Sequence, residues 1–333
     1  MQPRIVLAHW DGLDFYGDAG MAQLAQVGEV LDREPLSSFD DQRADDLLAR
    51  AEVLVGHWGC PLIDGSVIER APDLGLIAYT AGTVKFTVTD DVFDRGIRIT
   101  SGAPANAEPV AEFTLAAILF ANKDVFFERD RMRNPSIATS RSRGDVPVGN
   151  WDKTVGIVGA SMVGRRVIEL LRPFPRLDVI LYDPFVGHDE AARLGVRKLD
   201  LDDLCAVADV LSVHAPDIPS TRGMIGADQL AALRTGATLI NTARGALVDH
   251  DALIAELRDG RLYAVLDVTD PEPLPDDNPL RILPNVFLTP HLAGSQGTEL
   301  GRMTESVVDE IRRYAAGERA ANEVTRSALD RIA

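Results

Sequence analysis

Cysteine is nearly absent: Cys60 and Cys205 are the two in 333 residues, far apart and in no metal-ligand spacing. A disulfide scaffold and a zinc ribbon are thereby excluded as organising features, no metal site is expected, and a reducing compartment fits. Basic charge is also scarce, with 34 Lys+Arg against 51 Asp+Glu and a formal net charge of -17. That balance disfavours partners held through phosphate backbones or an anionic membrane surface, so neither nucleic acid nor membrane is an expected partner. No apolar stretch approaches the roughly 20 residues that span a bilayer. The opening Met1–Ala8 segment reads as the lead into a first strand rather than a signal peptide, and a soluble cytoplasmic protein is expected. Aromatic residues are few, at 6%, but an apolar fraction of 46% with 26% charged is ordinary globular composition and supplies a sizeable core. The length is about twice the ~150 residues of a typical domain, so two domains are expected.

Apolar runs of strand length alternate with helix-like stretches from residue 4 to about 101, the clearest being Arg4–Ala8, Glu52–Val55, Leu76–Tyr79 and Ile97–Thr100. Alternation of this kind predicts a parallel sheet covered by helices. A long Ala/Leu-rich helical segment, Pro109–Phe120, leads out of this region. Residues 134–150 are rich in Pro, Ser, Gly and Arg without periodicity and read as a surface loop. Beyond it, Val155–Val158, Val179–Tyr182, Val210–His214, Thr238–Asn241, Ala264–Val268 and Val286–Thr289 read as buried central strands. A last segment, Thr298–Ala316, places Leu300, Met303, Val307 and Ile311 at helical spacing.

The sharpest local signal is the strand-to-helix turn at Val158-Gly159-Ala160-Ser161-Met162-Val163-Gly164. Small residues there let backbone N–H groups at a helix N-terminus approach a pyrophosphate. Gly159 and Gly164 fill the first and third positions of G-x-G-x-x-G, whereas Ser161 fills the second. An acidic residue should end the next strand and hold the ribose hydroxyls, and Asp183 lies 19 residues past Gly164. Asp183 would repel a 2'-phosphate and no arginine immediately follows it, so NAD (NADH) is favoured over NADP. Further on, Asn241-Thr242-Ala243-Arg244 delivers an arginine at a strand's carboxyl end, where open α/β sheets bind ligands. A planar guanidinium grips a carboxylate in bidentate fashion, as a 2-oxo acid would require. A surface arginine paired with Asp249 is the alternative. His214, followed by Ala215-Pro216, and His291 both end strands, and spacing alone does not choose between them as proton carriers.

Taken in order, the Ala81-Gly82-Thr83 loop, Asn106, Val110-Ala111-Glu112, the glycine turn, His214-Ala215-Pro216, Asn241–Gly245 and Pro290-His291 resemble the D-isomer-specific 2-hydroxyacid dehydrogenases over nearly the whole chain. The resemblance implies an α/β protein of two domains. A doubly wound Rossmann-type cofactor domain, 105–292, would be inserted into a smaller flavodoxin-like substrate domain, 1–104 with 293–333. It implies Arg244, Glu272 and His291 as the catalytic set, which selects His291 over His214. His291 as imidazolium would protonate the developing alkoxide while NADH gives hydride to C2 of a 2-oxo acid, Glu272 would orient the ring, and Arg244 would bind the carboxylate. Cofactor contacts would come from Gly159, Ser161, Met162, Val163, Gly164, Asp183, His214, Pro216, Thr242 and Ala243, with Asp267 holding the nicotinamide amide. Substrate contacts would come from Ala81, Gly82, Thr83 and Val84, together with Trp58 and Arg244. The family also implies a homodimer and a hinge at the two chain crossings.

Departures from the family pattern carry their own readings. Ser161 sets a hydroxyl beside the expected pyrophosphate. The 28-residue step from Arg244 to Glu272 is one shorter than the family's, which would displace Glu272 slightly. Trp58 stands where the related phosphoglycerate dehydrogenases carry an arginine for phosphate, which disfavours a phosphorylated substrate; the indole would either face an apolar substrate tail or serve in packing. A NAD(H)-sensing, corepressor-like protein with little turnover is the competing reading. With a net charge of -17, an enzyme for anionic acids must supply positive charge locally, from Arg244, His291, the helix N-terminus at Met162 and Lys85.

Overall fold

The structure is a computed structural model, described for residues 2–133 and 147–329. The segment expected to be a surface loop at 134–150 therefore lies, over 134–146, outside the described residues. Two compact units divide the chain, Met1–Asn106 with Ser295–Ala333, and Ala107–Gly294.

In the first unit β1 (Arg4–Ala8), β2 (Glu29–Val30), β3 (Val53–Gly56), β4 (Leu76–Tyr79) and β5 (Arg98–Ser101) form a parallel sheet in the order β2-β1-β3-β4-β5. Both faces are covered, which is why the strands read as unbroken apolar runs. Along β1, Ile5 and Leu7 join one core while Val6 and Ala8 join the other. Met303 packs into the second of these, and Val307, Val308 and Ile311 of the same helix, Leu300–Ala315, into the first, so the C-terminal segment completes the N-terminal sheet. The strand order reverses between β1 and β3, the point where such sheets bind ligands beyond their carboxyl ends.

The second unit repeats the principle on a larger scale. β6 (Lys153–Val158), β7 (Leu177–Tyr182), β8 (Arg197–Lys198), β9 (Val210–Val213), β10 (Thr238–Asn241), β11 (Tyr263–Leu266) and β12 (Val286–Leu288) form a parallel sheet in the order β12-β11-β10-β9-β6-β7-β8. This is the doubly wound arrangement with its switch point between β6 and β9. Val155 and Ile157 face one core and Val158 the other.

The expected α/β class and parallel sheets are present. β2 and β8 were not anticipated; at two residues each, they are edge strands too short to show as runs. β9 and β11 stop before His214 and Asp267, which leaves both residues in the loops beyond the sheet edge. The helix around Pro109 starts earlier than the apolar run suggests, spanning Ala103–Asn122, and Pro109 sits inside it without an N–H to contribute. Among the described residues no helix is long and apolar enough to cross a membrane.

Candidate active site

Every proposed functional residue of the second unit lies at or just beyond a strand's carboxyl end. The turn after β6 is built by close approach. Gly159 has φ +98°, and a Cβ on Gly164 would sit 2.1 Å from the Gly159 carbonyl oxygen, so the helix can lie on the turn only with glycine there. Ser161 is extended (φ -64°) and needs no glycine's freedom. Its hydroxyl oxygen caps the helix Met162–Leu171 by accepting from Gly164 N–H at 3.3 Å. The N–H groups of Met162 and Val163, in the first turn, have no intrahelical acceptor and form the positive end of the helix dipole. Asp183, after β7, accepts from Ala160 N–H (2.7 Å) and Phe185 N–H (2.7 Å), and so ties the glycine turn to the neighbouring strand end. Two further acceptor sites of its carboxylate remain for hydroxyl groups.

After β10, buried Asn241 shapes the arginine turn: its Nδ2 donates to the Arg244 carbonyl (2.8 Å) and its Oδ1 accepts from Ala243 N–H (3.1 Å). A Cβ on Gly245 would lie 2.0 Å from the Thr269 carbonyl carbon, so the glycine lets the arginine turn rest on the loop after β11. Arg244 Nη1 donates to the Ala243 carbonyl (2.6 Å), and no carboxylate lies within ion-pair distance of it among the described residues. Asp249 instead caps the helix His250–Arg258. Burial lowers the guanidinium's proton affinity, against the pull of Asp217 and Glu272, and leaves it charged at neutral pH. Thr242 is buried, with its hydroxyl against that of Thr114. Thr114 Oγ1 donates to the Val110 carbonyl (2.8 Å), so the 2.9 Å contact between the two threonine hydroxyls uses the Thr242 proton.

His291 Nδ1 stands 2.8 Å from Glu272 Oε1, so the 28-residue step from Arg244 does not prevent the pair from forming. A carboxylate only accepts, which places a proton on Nδ1 and leaves Nε2 as the exchanging atom. About half of the His291 side chain is exposed, 48%. Its backbone is left-handed (φ 52°), costly for a residue with a Cβ. Asp267, 1% exposed, holds that conformation. Its carboxylate accepts from Thr289 Oγ1 (2.6 Å), Leu292 N–H (2.8 Å) and Ala293 N–H (2.9 Å), and its carbonyl from His291 N–H (2.9 Å). Three of about four acceptor sites on the carboxylate are thus committed to the histidine loop, leaving one for an amide. Sequence reading missed this task for Asp267, as it missed Thr289 and Thr114; a polar residue closing a buried strand was the available signal for the first two.

His214 is buried, its Nε2 paired with Ser212 Oγ at 2.9 Å and its Nδ1 unpartnered among the described residues. Burial pushes its pKa down to about 3, so it stays neutral where a proton carrier must titrate. Pro216 lies two residues further, half-buried. In the first unit, Trp58 follows β3, and Ala81, Gly82, Thr83 and Val84 follow β4. The Gly82 carbonyl accepts from Ser101 Oγ, and Lys85 N–H donates to Thr83 Oγ1 (3.2 Å). Among the described residues the N–H groups of Gly82 and Thr83 meet no acceptor, which leaves two adjacent donors for an anion.

A glycine turn at the switch point, a carboxylate-oriented histidine and an arginine without an ion-pair partner thus share one edge of a doubly wound parallel sheet, the architecture of dinucleotide-binding domains. Residues 115–293 match the NAD binding domain of D-isomer specific 2-hydroxyacid dehydrogenases, and the chain belongs to that family. It is 33% identical to glyoxylate/hydroxypyruvate reductase B of Yersinia enterocolitica, over 93% of this chain and 94% of that protein. It is 31% identical to a D-3-phosphoglycerate dehydrogenase of Methanocaldococcus jannaschii, over 90% of this chain and 56% of that protein; the chain spans about half the length of the phosphoglycerate dehydrogenases it matches. A crystal structure of a Thermus thermophilus protein superposes with a TM-score of 0.74 at 30% identity, covering 97% of this chain and 100% of that one.

Two predictions concern the buried groups. Asp267→Asn replaces an acceptor by an NH2 group; it should lower unfolding stability by about 3 kcal/mol and speed hydrogen exchange at Leu292 and Ala293, and unchanged exchange there would show that the loop holds itself. His57 and His214 both have folded pKa values of about 3, below the unfolded 6.5. As pH falls below 6.5 the unfolded chain takes up these protons first, so stability is lost down to about pH 3, by up to about 1.4 kcal/mol per pH unit for each ring. Urea midpoints should fall between about pH 7 and 5, and neither imidazole should titrate by NMR between about pH 5 and 8.

Proposed function

We propose that the chain interconverts a D-2-hydroxy acid and a 2-oxo acid, using NAD(H) rather than NADP(H). The observation that carries this reading is the 2.8 Å His291–Glu272 pair on the same sheet edge as an arginine free of any carboxylate. The residues at the β6 turn fit a dinucleotide: first-turn N–H groups of Met162 and Val163 for the pyrophosphate, and the Asp183 carboxylate for ribose hydroxyls. That same carboxylate repels a 2'-phosphate, which supports NAD.

The nicotinamide, when bound, supplies or accepts the hydride at C2. Arg244 binds the substrate carboxylate and stabilises charge growing on the neighbouring oxygen, where a guanidinium without a competing anion acts most strongly. His291 Nε2 gives its proton to that oxygen in reduction and recovers it in oxidation, while Glu272 holds Nδ1–H and fixes the ring.

A panel of 2-oxo acids with NADH, followed by loss of NADH absorbance, tests the reading; a folded protein that binds NADH and reduces none of them would refute it. Arg244→Ala should lower kcat/KM by about a hundred- to a thousandfold with NADH affinity nearly retained. Loss of both together would point to a structural role for the arginine.

A further inference from the structure

The loop after β9 carries a charged pair for which the reading above has no task. Pro219 opens a turn in which Thr221 N–H donates to the Ile218 carbonyl (3.0 Å). The Thr221 hydroxyl spans the same turn, donating to the Pro216 carbonyl (2.5 Å) and accepting from Ile218 N–H (3.1 Å). Clipped in this way, the turn brings Arg222 back onto Asp217: Nε lies 3.0 Å from Oδ1, and Nη2 donates to Oδ2 at 3.1 Å, a bidentate pair. The chain that follows is stitched to the arginine turn after β10. Gly223 N–H donates to the Ala246 carbonyl (2.8 Å), Ile225 N–H to the Leu247 carbonyl (3.0 Å) and Asp249 N–H to the Ile225 carbonyl (3.0 Å). All of these residues lie in the second unit. Arg222 directly precedes the first of these bonds, and Arg244 lies two residues before its acceptor.

Stability does not account for this pair. The Arg222 side chain is 62% exposed, and an ion pair so placed contributes little to folding. The carboxylate is set differently: the Asp217 side chain is 24% exposed, and its Oδ1 is shielded from solvent. Of the charges that act on the Arg244 guanidinium, Asp217 pulls most strongly, ahead of Glu272. Among the described residues no ion pair joins Asp217 to Arg244. Two guanidinium groups therefore act on one carboxylate, and the outer, solvated one holds it.

We propose that Arg222 is a positioning residue: by chelating Asp217 it keeps that carboxylate from pairing with Arg244, and so leaves the inner guanidinium open to the carboxylate of a 2-oxo acid. The inference rests on the reading of the chain as a 2-oxo acid reductase. Asp217 and the substrate present the same two-oxygen group, so an unchelated Asp217 competes for the same N–H donors. Such a competitor is tethered, and a short tether gives it an effective concentration of about millimolar or more. Substrate must then displace it, and its apparent Kd rises by the factor through which free Arg244 is depleted. Once substrate is bound, Arg244 acts on the transition state as before, so KM bears the loss and kcat little of it.

The test uses the NADH-loaded protein and the 2-oxo acid of the panel above that it reduces fastest. Arg222→Gln should raise KM about tenfold, with kcat within about threefold of the parent. Arg222→Lys keeps the charge without the fork, and its KM should fall between the two. Arg222→Gln combined with Asp217→Asn should return KM to the parent value, because no carboxylate is left to compete. An unchanged KM in Arg222→Gln, or a double variant as impaired as the single one, overturns the inference while leaving the activity standing. If no oxo acid is reduced the activity reading fails, and a crystal structure of Arg222→Gln decides the inference separately. An Asp217 carboxylate within about 4 Å of the Arg244 guanidinium supports it, and one that still stands apart overturns it.

Discussion

The loop that presents His291 depends on a buried carboxylate. A left-handed backbone at a residue with a Cβ persists only where its surroundings over-determine it, and Asp267 does so with four acceptor contacts on Thr289, His291, Leu292 and Ala293. Because Asp267 is the first residue past β11 and His291 the third past β12, these bonds also join two strand ends. On the other side of β11, the arginine turn can rest on Thr269 only because residue 245 has no side chain. The ends of β10, β11 and β12 are thus coupled by contacts too short for any larger residue, or by charge-assisted bonds. This coupling is what brings Glu272 to His291.

Much of this was legible in the residues. Apolar runs marked the long strands because both faces of each sheet are covered, so most of their positions are buried and no alternation is needed to see them. The two edge strands Glu29–Val30 and Arg197–Lys198 escaped notice for the converse reason: they are short and half-solvated, and three of their four residues are charged. Gly159, Gly164 and Asp183 stood out because their spacing follows from the strand-turn-helix-strand path. What the spacing could not convey is how polar side chains are shared out. Ser161 stands at the second glycine position, and the spacing gave no sign that its hydroxyl caps the following helix. The spacing also gave no sign that the Thr242 hydroxyl donates to Thr114. Such assignments depend on which donors are left over once the backbone has paired, which only three-dimensional packing decides.

An acidic surface is compatible with an anionic ligand because charge acts locally in a partly buried site. With a net charge of -17, the far field repels a 2-oxo acid, yet salt screens exposed charges beyond about 8–10 Å. Arg244, lifted out of bulk solvent and left without a carboxylate partner, acts at contact distance, where screening is weak. A guanidinium that was already paired would have to give up that partner for each substrate bound.

Histidines at the strand ends divide by burial. His9, His57 and His214 sit within the sheets' edges, where desolvation disfavours their charged form. His57 and His214, whose pKa values burial pushes down to about 3, stay neutral near neutral pH. His291 stands further out, half-exposed, with one nitrogen fixed by Glu272 and the other open. The same side chain is therefore held neutral by burial in one place and left half-exposed beside a carboxylate in another. The difference comes from a few ångströms of depth and one carboxylate, and no property of the residue type would reveal it.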